Sequence, residues 1–317
     1  MPKIGLPPAI ATIGCAGSFT FPGELPIMNK LIFALAAASG LALAAPVLAD
    51  HHAGSVDEAH IKDTAHFLKM HGEQLSAAIN HPSRAEDAKR DVHRHPVDTL
   101  AFFHVGPHMK VGEYAPGGGW YSRLLGHYLG GEGQLVGIYT NPLTATADPA
   151  RQQRVRDQAA GFGAEVAGYT GLPAEKFSGI TLDKAAEHKG TFDRILVFRA
   201  MHSPTRAGTA DTEMRAMREL LKDDGLIGVV QHRAKPDATW SYANGSKGYL
   251  READFIDFMR INGFELVGKS EINANPNDTA NHPEGVWEMP PTLATKRDDL
   301  KDKGESDRMT LLFKKAQ

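Results

Sequence analysis

From residue 109 onward, short apolar runs bounded by glycine, proline or asparagine alternate with stretches in which apolar residues recur every three or four positions. That is the pattern of β-strands separated by amphipathic helices. The runs predict strands over Met109–Ala115, Gly133–Thr140, Ala164–Tyr169, Phe192–His202, Leu226–Arg233, Phe264–Ile272 and Arg308–Lys315. Helical periodicity predicts Trp120–Leu129, with Trp120, Leu124 and Tyr128 on one face, then Pro149–Gly161, Thr212–Leu221 and Glu252–Ile261. Upstream, the segment to Pro82 reads as a helical arm carrying Ile61, Ala65, Leu68, Leu75 and Ile79, and Pro96 is placed to start a further helix whose Leu100 and Phe103 face a core. Alternating strands and helices of this length argue for a mostly parallel sheet covered on both faces. In such sheets ligands bind beyond the carboxyl ends of the strands.

Composition changes the picture only at the start of the chain. With 42% hydrophobic and 23% charged residues and a formal net charge of −3, the 317-residue chain has an ordinary globular balance and no basic field that would argue for nucleic acid. Met28-Asn29-Lys30 is followed by an apolar run from Leu31 to Ala49 that is rich in alanine and ends in small residues, with polar DHHAGS beyond it. This reads as a secretory signal at 28–49, giving an exported, periplasmic protein with no stable membrane insertion once the signal is cleaved. Residues 1–27 then read as an extension upstream of the true start, 50–96 as the helical arm and 97–317 as the main domain. The single cysteine, Cys15, falls in the extension, so the processed chain has no disulfide, thiolate nucleophile or cysteine metal site. Cleavage after Ala49 would expose Asp50-His51-His52, a terminus whose nitrogens suit Cu(II) or Ni(II). Eight of the fifteen histidines lie between His51 and His95, without a recognised ligand spacing, and read as a solvated helix face instead of a metal site.

The most informative stretch is VGEYAPGGGWY, Val111–Tyr121, in which an acidic residue and three consecutive glycines separate a strand pattern from a helix pattern. Glycines there let bare backbone approach a nucleotide-like ligand, and the following helix offers unpaired N–H groups. Two histidines stand at predicted strand ends, His202 and His232, flanked by Arg199 and Arg233. A neutral imidazole can accept a proton near pH 7, and the arginines can hold an anionic group. The long segment Asn273–Asp307, with Trp287, Met289 and Pro290-Pro291, reads as an ordered cover over this end of the sheet, pinned by Glu271, Asp278, His282 and Glu284. The histidine and arginine pairs also admit a simpler role, tying the strand ends to that cover.

RHPVDTLAFF (Arg94–Phe103), EYAPGGGWY (Glu113–Tyr121), LVFRAMH (Leu196–His202), VVQHRA (Val229–Ala234), EINANPNDTANHPEGVWEMPPTL (Glu271–Leu293) and GESDRMTL (Gly304–Leu311) occur in this order. From about Val97 to its end the chain resembles a class I S-adenosylmethionine-dependent methyltransferase, and more narrowly a bacterial family of exported methyltransferase-like proteins. The resemblance implies a Rossmann-like sheet of order 3-2-1-4-5-7-6 with the last strand antiparallel. It implies S-adenosylmethionine bound by Glu113 and by the backbone of Ala115, Pro116, Gly117, Gly118 and Gly119, with His202 or His232 as base and Arg199 and Arg233 toward a small-molecule substrate. The chain departs from the family after the second strand, where Tyr139-Thr140-Asn141 replaces an acidic residue that holds ribose, leaving Tyr139 or Asn141 to substitute. After the expected third strand, Tyr169-Thr170-Gly171 stands where an acidic residue near adenine is common. These departures, together with export away from where the cofactor is made, favour the alternative of a non-catalytic small-molecule-binding protein on the same fold. A hydrolase reading lacks a GxSxG turn.

Overall fold

The computed structural model describes residues 58–317. The leader at 28–49, Cys15 and the Asp50-His51-His52 terminus lie outside the described residues. Among the described residues no helix is long and apolar enough to cross a membrane.

The helical arm is α1 (Glu58–Ile79), followed by the single turns α2 (Ala85–Ala88) and α3 (Asp91–Arg94) and by α4 (Pro96–Phe102), which Pro96 opens at its first position. The first half of the sheet then runs β1 (Lys110–Tyr114), α5 (Trp120–Leu129), β2 (Gln134–Tyr139), α6 (Pro142–Ala145), α7 (Pro149–Thr170) and β3 (Phe177–Thr181). The second half is β4 (Phe192–Phe198), α8 (His202–Ala207), α9 (Ala210–Leu220), β5 (Leu221–His232), α10 (Trp240–Ala243), α11 (Glu252–Ile261), β6 (Phe264–Ser270) and β7 (Arg308–Lys315). The seven strands lie in the order β3-β2-β1-β4-β5-β7-β6. Only β7 is antiparallel to its neighbours, and this is the Rossmann-like methyltransferase sheet expected from the sequence.

Period-2 alternation sorts the strand residues to two faces. On β4, Ile195 and Val197 join Met214 and Met217 of α9 and Phe255 and Met259 of α11, while Leu196 and Phe198 join Leu100 of α4, Leu124 and Leu125 of α5 and Phe162 of α7. Both faces are therefore covered, which is why the end of β4, Ile195–Phe198, is an unbroken apolar run.

One predicted strand is a helix. Ala164–Tyr169 forms the last turns of α7, whose buried Ala159, Phe162 and Val166 keep the helical spacing of three and four. Helix and strand pack closely through one glycine on each: a Cβ on Gly163 of α7 would stand 2.5 Å from the carbonyl oxygen of Phe177, and one on Gly179 of β3 would stand 2.1 Å from that of Ala159. α7 lies directly on β3, and the helix ends at Gly171 in the left-handed region. The strand at the third position is instead Phe177–Thr181.

The cover is ordered and held by its own buried polar groups. Asp278, fully buried, accepts hydrogen bonds from the Tyr249 hydroxyl (2.9 Å) and from the backbone N–H groups of Ala280 and Asp307 (both 2.8 Å), and pairs with His282 Nε2 at 3.0 Å. Asn273 donates to Thr99 and Thr310, both at 3.0 Å, stitching the start of the cover to α4 and β7.

The solvated reading of the histidines fails at His60. It is buried, its Nε2 lies 3.1 Å from the Phe102 carbonyl oxygen, and its ring packs edge-on against Phe102, so it docks α1 onto α4.

Candidate functional site

The strand order reverses between β1 and β4, and a cleft of about 970 Å³ opens at the carboxyl ends of the strands there. This is the switch-point position at which doubly wound sheets bind ligands. Its walls come from the β1 and β4 ends, the start of α5, the inner side of α7, α8, and the single turns ahead of α4.

β1 delivers Glu113 to the floor. The strand pairs with β2 and β4 on both sides, so the carboxyl group is 3% exposed and its single side-chain donor is Ser122 Oγ at 2.6 Å. Burial pushes its pKa up from 4.5 to about 8, against the opposing pull of Ser122, Arg123 and Arg199. Burial thus favours the neutral form of Glu113, which accepts from Ser122.

The loop after β1 turns through three left-handed residues, Ala115, Gly117 and Gly119, with φ of 49°, 59° and 73°. Gly117 and Gly119 adopt this region without penalty, whereas Ala115 is held there at a cost. Gly118 has an ordinary φ and meets nothing within 4 Å where a Cβ would stand. Gly118 also lines the cleft. Gly119 caps α5 without a side-chain hydrogen bond, leaving the first N–H groups of the helix for a bound anion or polar ligand.

The structure brings Glu113, Ala115, Pro116, Gly117, Gly118, Tyr139, Arg199, His202 and His232 to one cleft. Three other residues put forward from the sequence lie outside its wall. Gly119 sits one step behind, as the α5 cap. Asn141 turns its side-chain oxygen onto the Leu143 N–H at 2.9 Å to cap α6. Arg233 is saturated by carboxylates: it donates to Glu271 (2.9 and 2.6 Å), to Asp307 (both 3.1 Å) and to Glu252 (3.0 Å), with hydrogen bonding to Glu271 the largest cause of its raised pKa. It clamps the cover to β5 and β6 and has no donor to spare for a substrate.

His202 and His232 have ring centroids 5.9 Å apart. Burial lowers the pKa of His202 to about 4, assisted by Arg206, and burial followed by Arg199 lowers that of His232 well below its usual value. Both rings are neutral at physiological pH. His232 Nδ1 is engaged by Ser306 Oγ at 2.6 Å, tying the β5 end to the cover, whereas His202 Nδ1 is buried without a partner.

Further polar residues of the wall escaped the sequence reading. Glu165 of α7 faces the cleft beside the β2 end and accepts from the Tyr169 hydroxyl; it was hidden by the mistaken strand. Tyr169 itself lies under the Arg123 guanidinium, 5.1 Å from its ring centroid, and outside the cleft wall. Buried Glu213 of α9 accepts from Tyr114, Thr140 and Thr209. An acidic residue stands two positions after the true third strand: Asp183 follows Thr181-Leu182. Arg156 occupies one of its oxygens at 2.9 Å, and the other is buried and unpartnered.

No family model and no curated protein matches the chain. Solved structures do resemble it. The arsenic(III) S-adenosylmethionine methyltransferase CrArsM from Chlamydomonas reinhardtii shares 13% identity over 77% of this chain and 73% of its own, with a TM-score of 0.42. The [4+2]-cyclase SpnF shares 14% over 79% and 94%, with a TM-score of 0.45. The 1,6-didemethyltoxoflavin-N1-methyltransferase of Burkholderia thailandensis, solved with 1,6-didemethyltoxoflavin and S-adenosylhomocysteine, shares 11% over 82% and 88%, with a TM-score of 0.39. At such identities and scores an activity does not transfer from these proteins to this chain.

Proposed function

We propose that the cleft binds S-adenosylmethionine and that the chain is a methyltransferase acting on a small molecule. The observation that carries this reading is the unit of β1, glycine loop and α5 at the switch point, with Gly118 open to the cleft beside the free N–H groups of the helix. The residues present fit the cofactor. The loop backbone and Glu113 would hold its methionine end, Tyr139 and Thr140 flank the β2 end, and Glu165 offers from α7 the carboxylate that β2 lacks for a ribose.

When bound, S-adenosylmethionine supplies an electrophilic methyl group on a sulfonium. Displacement at that carbon is in line, so the chain's own work is to align the acceptor and, for a hydroxyl or an acid, to take its proton. His202 is the proton acceptor we put forward, because its ring lines the cleft and is neutral. His232 stands second, with one nitrogen committed to Ser306. Arg199, beside both, would hold an anionic part of the substrate.

The second reading is an exported, non-catalytic small-molecule-binding protein on the same fold. It is favoured by the β2 end, which carries Tyr139-Thr140-Asn141 and no carboxylate, and by Asp183, whose free oxygen is buried behind Arg156. The periplasmic location inferred from the leader goes with it. Methyl transfer from labelled S-adenosylmethionine into the small molecules of a bacterial extract separates the two. Incorporation that falls about a hundredfold or more in His202→Asn supports the enzyme; cofactor binding without incorporation supports the second reading, and absence of both defeats the cofactor assignment.

A further inference from the structure

One end of the cleft carries more positive charge than its protein partners neutralise. Glu305, near the end of the cover, is buried at 5% exposure and meets four guanidinium groups: Arg90 Nε at 2.7 Å, Arg94 Nε at 3.2 Å, Arg308 Nη1 at 3.2 Å and Arg199 Nη1 at 3.6 Å. Among the described residues it is the one carboxylate within ion-pair reach of any of the four. Four cations against one anion leave three positive charges, and Arg94 and Arg308 are almost completely buried. Buried charge of one sign is retained at a high cost in desolvation and repulsion unless an opposite charge joins it.

The donors are also incompletely used. Arg94 bonds only through Nε, and its Nη1 is buried without a partner, as is Nε of Arg308. The Arg199 side chain is poised toward Glu305 without a hydrogen bond, from a residue held at φ 57°. Packing holds the Arg94 fork in place, with its guanidinium 4.5 Å from the Trp120 ring centroid. Arg90, Arg94 and Arg199 all line the cleft, on the same side as His202 and His232 and away from the β2 end.

We propose that Arg94 and Arg199, with Arg90 at the rim, form an oxyanion subsite that takes a phosphate or carboxylate group of the ligand. A guanidinium fork matches such a group with two parallel N–H bonds. Placed there, the anion would neutralise the surplus charge and satisfy the idle Arg94 donor. Burial and mutual repulsion, which bring Arg94 to about 9 and Arg199 to about 10, act in the same sense, since both are relieved by an arriving anion. The subsite deepens the methyltransferase reading by naming the acceptor class, a small phosphorylated or carboxylated molecule, and it holds equally for a binding protein.

Inorganic phosphate is the probe. Calorimetric titration of the full chain at constant ionic strength, with chloride as the reference anion, is expected to give saturable 1:1 binding. Arg199→Gln, whose side chain is partly exposed and whose loss relieves repulsion, is expected to keep the urea midpoint measured in chloride and to weaken phosphate at least about tenfold. Arg94→Met is the second variant, with the same loss expected. Gly118→Val is expected to retain phosphate binding while losing S-adenosylhomocysteine, so the two assignments fail separately. Absence of saturable phosphate binding to the wild type, with or without S-adenosylhomocysteine, overturns the subsite. So does phosphate affinity within about twofold of wild type in a folded Arg199→Gln, which would leave the cluster as a pin between the α3 turn and the cover.

Discussion

Replacing Glu113 by Gln tests whether the floor of the cleft is neutral. The folded carboxyl group is raised from 4.5 to about 8, chiefly by burial, while in the unfolded chain it titrates near 4.5. Between those pH values the unfolded state has released its proton and the folded state has kept it, so this group's contribution to stability is full below about 4.5 and is lost as pH rises toward 8. At about 1.4 kcal/mol per pH unit the loss accumulates to about 5 kcal/mol. Glutamine has the same shape, still accepts from Ser122 and never ionises. Urea unfolding of both proteins between about pH 5 and pH 9, followed by tryptophan fluorescence, gives the stability difference at each pH. Subtraction removes the titration of every group that behaves alike in the two proteins. The expected difference moves in favour of Glu113→Gln by about 1.4 kcal/mol per pH unit and levels off above pH 8. Parallel stability curves for the two proteins would mean that Glu113 is already ionised at neutral pH, and the reasoning from burial would fail.

Ala115→Gly is expected to raise stability by about 1 kcal/mol in urea unfolding, because Ala115 is held at φ 49°, whereas glycine normally weakens the end of a strand; a loss of stability would show that the turn is unstrained. Arg233→Gln removes the clamp between the β5 end, Glu252, Glu271 and Asp307. Its expected cost is about 3 kcal/mol, with faster amide exchange across 273–307 and no change in cofactor affinity; weaker cofactor binding at unchanged exchange would return Arg233 to the ligand site.

The sequence made the sheet legible because each strand but one announced itself by a short apolar run with turn residues at both ends, and because β4, covered on both faces, ends in the unbroken apolar run Ile195–Phe198. The exception had a physical cause. The predicted helix stops at Gly161, whereas α7 runs on to Thr170 and needs Gly163 to reach β3, a closeness no single-chain pattern expresses. That error hid Glu165 on the inner side of the helix and put Tyr169 in place of Asp183 after the third strand. Within the cleft, residues adjacent to strand ends were foreseeable, since Glu113, Gly117, Gly118, Arg199 and His202 follow directly from the ends of β1 and β4. The side-chain direction at Arg233 was not, because it depends on partners such as Asp307, 74 positions away, whereas Asn141 is taken up locally as the cap of α6. The arginine cluster was the least legible part: Arg94 and Glu305 each stand in a stretch that carries the resemblance, but nothing in either stretch tells that they meet across 211 residues.

The central claim is that the space in front of Gly118 is a cofactor site, and calorimetric titration with S-adenosylhomocysteine, comparing the wild type with Gly118→Val, tests it most directly. Gly118 has an ordinary φ and open space at its Cβ, so valine leaves the fold intact and fills only the cleft. The account predicts micromolar binding to the wild type and none to a folded Gly118→Val. No heat with the wild type at millimolar ligand, or equal affinity in the two proteins, would contradict it.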